Sequence, residues 1–277
     1  MLDAFNTLKE SQDSQQQKKY KVLLIGDSCT DEWVYGDCDR LSPEAPVPIL
    51  VEQGKDTAPG MAGNVKQNLE SLGITVTFLC NKEESKKTRF IDSKTNQQIV
   101  RVDSQPDVKP LHPSQLQMAL LHDTYDAIVI SDYDKGFLPD AKTISDIASR
   151  YPNTKVFVDT KKTKLPTEFS NIIYKINKKE FEALDSGSIP NGENMIVTLG
   201  GDGAVWNKKK FPCNDLVRTF DVTGAGDTFL AALVFYIVQL PVMEEAIAFA
   251  NKAAAIAVQN PGTYTLRMDD IDRILGL

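Results

Sequence analysis

No stretch of this sequence approaches the roughly 20 consecutive apolar residues that a helix needs to cross a bilayer. The N-terminus also lacks the basic segment followed by an apolar one that marks a leader, which predicts a protein that stays in the cytoplasm. Cysteine is scarce, and Cys29, Cys38, Cys80 and Cys213 lie far apart with no CxxC pair. That spacing argues against a zinc knuckle or a disulfide framework and suits a reducing compartment. Positive charge is in deficit: 31 Lys and Arg stand against 38 Asp and Glu, a net charge of −7. No global positive field draws nucleic acid or a membrane surface to such a chain, although a local cluster of donors can still hold a small anion. No GxGxxG follows the first apolar run, which argues against a dinucleotide-binding dehydrogenase, and no internal repeat is present.

What is present suits one large α/β domain: 277 residues with 42% apolar content can bury a full core. Residues 1–19, with SQDSQQQKK at 11–19, are too polar to pack and read as an arm, leaving 20–277 as the domain. KVLLI at 21–25 is a short apolar run ended by Gly26 and Asp27, a buried strand feeding a functional loop. Similar runs recur at 127–130, 156–158, 172–174 and 195–197, and segments of helical period fall at 62–72, 141–150 and 178–184. Strand and helix in alternation predict a mainly parallel sheet covered on both faces. Two segments break the rhythm, 47–52 and a hairpin over 88–102 that turns at SKTNQQ; they are expected to form a small antiparallel β lid. The last third reads as helices over 225–238 and 243–258, separated by Pro241.

The strongest chemical signal is DVTGAGDTFLAAL at 221–233, a small-residue loop that runs straight into a long apolar helix. Such a loop aims unpaired backbone N–H groups of Gly224, Ala225 and Gly226 at one point, at the positive end of the helix dipole, and makes an anion hole. Asp227 inside it would stand beside the anion, which suits phosphoryl transfer: in-line positioning, charge stabilisation, and a base for the attacking hydroxyl. The bland alternative is a glycine-rich turn capped by Asp227. DVTGAGDTF resembles the signature of ribokinase-like sugar kinases, and PGMAGNV at 59–65 resembles their N-terminal GGxxN turn, with Met61 where a second glycine is usual.

That resemblance implies a ribokinase-like three-layer fold, ATP and Mg2+ as cofactors, Asp227 as base, and sugar contacts from Gly60, Gly63, Asn64 and Asp31. KINKKE at 175–180 is similar to the family's strand-end segment, which implies Asn177 near the ATP phosphates and Glu180 on magnesium through water; read locally, the two form a capping box. TLGGDGAVW at 198–206 matches the segment along the nucleotide, implicating Thr198, Gly200 and Gly203, with Thr223 in the signature loop. NKAAAIAV and NPGT place Asn251 and Gly262 where the family surrounds adenine, although an Ala-rich stripe also suits plain helix packing.

RLSPEAPVP at 40–48, KKTRFID at 86–92, QQIVRVD at 97–103, SDYDKGF at 131–137 and VDTKK at 158–162 resemble, in order and spacing, one subgroup. These are the kinases of D-glycero-D-manno-heptose 7-phosphate in lipopolysaccharide core synthesis. The implied substrate is a sugar phosphate, with Lys87, Arg89, Arg101, Asp132, Lys135 and Lys161 around it; a dianion needs such charge-assisted donors. Two departures stand out. A helix-strand unit usual after TVTFLC at 75–80 is missing, which predicts an altered sheet edge, and the chain ends at 277, which would leave the kinase step alone without the nucleotidyltransferase domain many subgroup members carry. The resemblance also implies a homodimer through the lid, covering apolar faces near 47–51 and 99–102. Rival readings are a kinase of fructose, ribose or a nucleoside, or a silent regulator that binds without turnover.

Overall fold

The computed structural model describes residues 19–121, 124–213 and 219–276; the expected polar arm lies, up to residue 18, outside them. In chain order the strands are β1 (Lys21–Gly26), β2 (Ser28–Leu41), β3 (Pro48–Met61), β4 (Thr75–Cys80), β5 (Lys86–Asp92) and β6 (Gln97–Ser104). They continue as β7 (Ala127–Asp132), β8 (Lys155–Thr160), β9 (Ile172–Asn177), β10 (Met195–Thr198), β11 (Ala204–Trp206) and β12 (Lys209–Phe211). The helices are α1 (Ala62–Ser71), α2 (Pro113–Leu121), α3 (Lys142–Arg150), α4 (Lys178–Glu182), α5 (Ala225–Gln239), α6 (Met243–Ala257) and α7 (Met268–Leu275).

Among the described residues, eight strands form one sheet in the order β12-β11-β10-β9-β8-β7-β1-β4. It is parallel from β10 to β4 and antiparallel at β11 and β12. Period-2 alternation sorts its side chains. Val22, Leu24, Val129, Phe157 and Ile173 pack with α1, α5, α6 and α7, whereas Leu23, Ile25, Ile130, Val158 and Tyr174 pack with α2 and α3. Helix α5 is buried from Asp227 to Ile237, as a helix apolar on all sides must be. From β1 the chain winds one way to β4 and the other way from β7 to β10, so the strand order switches between β1 and β7. At such a point the crevice beyond the C-terminal strand ends binds ligands.

The second sheet corrects the expected antiparallel lid. It has four strands in the order β3-β2-β5-β6, and its central pair, β2 with β5, is parallel. Strand β2 occupies residues read from the sequence as a loop, and β3 runs nine residues past 52, to Met61. Glycines and buried acids along these strands mask the apolar alternation that marks a strand. Strand β4 ends the main sheet, and Asn81 makes the short link to β5 workable. Its side chain accepts from Ser28 N at 2.7 Å and donates to the carbonyls of Ser28 at 3.1 Å and Glu83 at 2.7 Å. No helix among the described residues is long and apolar enough to cross a membrane.

Candidate active site

The start of α5 faces the crevice. Gly224 adopts φ +75°, and a Cβ there would come within 2.6 Å of Asn64 Nδ2, so the tight turn and the close approach both require glycine. Asp227, in the first turn of α5, is buried. Its Oδ1 accepts the Tyr133 hydroxyl at 2.7 Å and its Oδ2 accepts Asn64 Nδ2 at 3.2 Å. Burial pushes the Asp227 carboxyl up to about 6, against the opposing pull of the Tyr133 hydrogen bond, Lys175 and Asn64. A carboxylate poised there can accept a hydroxyl proton near neutral pH.

On one side of Asp227 opens a cavity of about 530 Å3. It is bordered by Ala225 and Gly226 of the anion hole, by Asn177, Thr198, Gly200 and Gly203, and by Asn251 with Val258. Asn177 caps α4: its Oδ1 accepts from Glu180 N at 3.0 Å, and its own N donates to Glu180 Oε2 at 2.8 Å. Two residues expected at the nucleotide stand elsewhere. Thr223 is folded onto Asp221, which accepts its N at 2.9 Å and hydroxyl at 2.8 Å. Gly262 does not line this cavity; it donates its N to Asp221 Oδ2 at 3.0 Å, and a Cβ on it would lie 2.8 Å from the Trp33 ring of the lid. Asp132 and Lys161, expected around the sugar, border this same cavity.

The other side is formed by the lid. Strand register puts Asp31 and Trp33 of β2 on the same face as Lys87 and Arg89 of β5 and Arg101 of β6. Asp31 is buried against Arg89 Nη1 at 2.6 Å, and Gly60 leaves room for it, since a Cβ there would meet Asp31 Oδ2 at 2.1 Å. Gly63 lies against Pro59 and Ser28. Arg101 is half exposed and bound to Asp103 at 2.8 Å. Lys87 Nζ lies 5.4 Å from the Tyr133 ring centre, and Lys135 Nζ donates to Gln105 at 3.1 Å. Among the described residues neither Lys87 nor Lys135 has a carboxylate partner, so these two cations retain charge for an anion.

Sequence reasoning missed four buried or half-buried groups here: Asp27, Tyr133, Asp159 and Lys175. Lys175 Nζ sits on Asp159 at 2.5 Å and lies where a Cβ on Gly226 would meet it at 3.0 Å. Burial disfavours its ammonium, but the Asp159 carboxylate more than offsets this and its pKa is raised. The sequence reading ends this strand at 174 and takes 175–180 as a strand-end segment by resemblance alone, and nothing local marks Lys175 as buried beneath Gly226.

The carboxylates lining the cavity are hard oxygen donors that suit Mg2+, and each is already engaged: Asp159 with Lys175, Asp132 with Thr160 at 2.7 Å, and Glu180 with Lys161 at 3.1 Å. No group of three or more potential ligands converges on one point among the described residues. This donor set fits an ion that keeps its waters and is reached by Glu180 through them.

Known proteins resemble this chain both in sequence and in fold. Residues 168–270 match the pfkB family of carbohydrate kinases. The chain is 32% identical over 303 aligned residues to a protein of Nitratiruptor sp. named bifunctional protein HldE, covering 92% of this chain and 64% of that one. The chain thus spans just under two thirds of the relative's length, and an alignment longer than this chain's 277 residues means the relative carries inserts absent here. Phosphofructokinase-2 of Escherichia coli has the same fold at a TM-score of 0.70 and 18% identity, covering 93% of this chain and 98% of that one. Ribokinase of Thermotoga maritima has it at 0.63 and 19%, covering 93% and 100%.

Proposed function

We propose, from the match of residues 168–270 to the pfkB family of carbohydrate kinases, that the chain is a kinase of that family and moves the γ-phosphoryl group of ATP onto the C1 hydroxyl of D-glycero-D-manno-heptose 7-phosphate. The product is the 1,7-bisphosphate, an intermediate toward ADP-heptose for lipopolysaccharide core. The observation that carries the reading is the position of Asp227. It is buried at the start of α5 beside a nucleotide-sized cavity, while a buried acid and Lys87 stand on the lid face and Lys135 on the loop after β7, neither lysine with a carboxylate partner among the described residues.

In this reading residues 20–277 act as one kinase domain in the cytoplasm. ATP occupies the cavity along Gly200 and Gly203, with its terminal phosphate at the N–H groups that open α5. Glu180 would hold magnesium through water, and the ion would neutralise charge on the phosphates. Asp31 accepts hydrogen bonds from sugar hydroxyls, and Asn64 fixes the base; Lys87 and Lys135 hold the 7-phosphate. Asp227 accepts the C1 hydroxyl proton as the oxygen attacks in line, and the anion hole holds the charge on the transferred group. The outward lid face exposes Val100 and Val102; a second copy of the chain covers it.

The test offers ATP with the heptose phosphate, fructose, ribose or adenosine and records ADP formed and product mass. Turnover with the heptose phosphate alone supports the reading. Turnover with an unphosphorylated sugar assigns Lys87 and Lys135 another task, and binding without turnover makes the protein a regulator.

A further inference from the structure

The crevice at the strand switch is organised by a carboxylate outside the signature motifs. Asp27, buried at the end of β1, collects three backbone N–H groups from the loop after β7: Tyr133 at 2.8 Å, Lys135 at 3.2 Å and Phe137 at 3.3 Å. Asp134 at φ +55° and Gly136 at φ +109° bend that loop back on itself. Its side chain at 133 is thereby directed to the base, where the hydroxyl meets Asp227 Oδ1 at 2.7 Å. Two ammonium groups lie against the same ring, Lys87 from the lid at 5.4 Å and Lys161 from the nucleotide side at 4.9 Å.

We propose that Tyr133 is the positioning residue of the base: its phenol donates to one oxygen of Asp227, holds the carboxylate ionised, and leaves the other oxygen turned to the acceptor hydroxyl. The chemical purpose rests on the kinase reading; the hydrogen bond does not.

A buried carboxylate that loses water needs replacement donors or it takes up a proton. Every element around Asp227 contributes. Asn64 on α1 donates the second hydrogen bond and Lys175 on β9 attracts the negative charge, while Asp159 on β8 repels it. Cys29 on β2 stands beside the pair with its thiol pushed up to about 12 by burial, so it remains neutral. Burial and the Asp227 charge also raise the Tyr133 phenol well above its ordinary value. Tyr133 therefore stays a donor at every working pH and cannot compete as a base.

Tyr133→Phe removes that donor and keeps the ring between the two lysines. In protein labelled with carboxyl-13C aspartate, the Asp227 resonance, assigned by its loss in Asp227→Asn, is followed from about pH 4 to about pH 9 without substrate. The midpoint is expected to rise by about one unit in Tyr133→Phe, a tenfold stronger hold on the proton; an unmoved midpoint overturns the proposal. In kinetics the acid limb of kcat/KM is expected to move with the resonance, and the rate at about pH 9 to approach that of the wild type. An equal loss at every pH would mean a merely structural role and also overturns it. If the wild type phosphorylates no sugar, the kinase reading fails while the resonance still decides the role of Tyr133.

Discussion

Asp227 shows how one residue couples stability to chemistry. A carboxyl raised from 3.8 to about 6 in the folded protein binds a proton that the unfolded chain has already lost over that window. Stability is therefore highest below about pH 4 for this group and falls as pH rises to about 6, by an amount on the order of 3 kcal/mol. Asp27 and Asp159, also raised by burial, act in the same direction. Asp227→Asn should flatten that dependence: across melts at about pH 4.5 and about pH 7.5, the wild type should lose several degrees more than the variant. Parallel losses would show that Asp227 is not held in a proton-retaining site. The sequence made Asp227 legible because its loop, glycines and helix are contiguous. Tyr133 and Asp27 were not, since 94 and 106 positions separate the partners in their contacts with Asp227 and Tyr133, and only the sheet brings them together.

Elements set which subsite a substitution disturbs. In the proposed reaction the turn before α5 holds the phosphoryl group, so Gly224→Ala, which forces a methyl group toward Asn64, should lower kcat by roughly a hundredfold. The same reading puts the end of strand β3 at the sugar, so Gly60→Ala, which collides with Asp31, should raise the sugar KM roughly tenfold or more while the KM for ATP changes little. Steady-state kinetics with each substrate varied in turn separates the two patterns, and a shared pattern would contradict the division. The parallel strands were readable as short apolar runs because both of their faces are buried. Strand β2 was not, because its buried positions include Asp31 beside Cys29 and Trp33, with Gly36 interrupting the run. Helix α2 was also missed: it buries only Leu120, too little to leave a helical period in the sequence.

At the scale of the whole molecule, the lid joins the catalytic domain through particular contacts: Trp33 on Gly262, Asn81 on Ser28, and Lys87 beside Tyr133. Its other face, with exposed Val100 and Val102, should be covered by a second copy. Light scattering should then give twice the 30.7 kDa of one chain, and Val100→Lys with Val102→Lys should return the monomer mass; a wild-type monomer contradicts that assembly. The overall architecture was legible because strand and helix alternate along most of the chain. The mixed lid was not, because parallel pairing of β2 with β5 depends on a connection through the main sheet that no local pattern records.

In the proposed reaction Asp227 takes the proton of an anomeric hydroxyl while that oxygen accepts the phosphoryl group. Phosphorus NMR of a mixture of protein, ATP, magnesium and D-glycero-D-manno-heptose 7-phosphate tests it most directly. One new anomeric sugar phosphate is expected for each ADP formed, and none with Asp227→Asn. Release of inorganic phosphate alone, or an undiminished product signal from the variant, would contradict it.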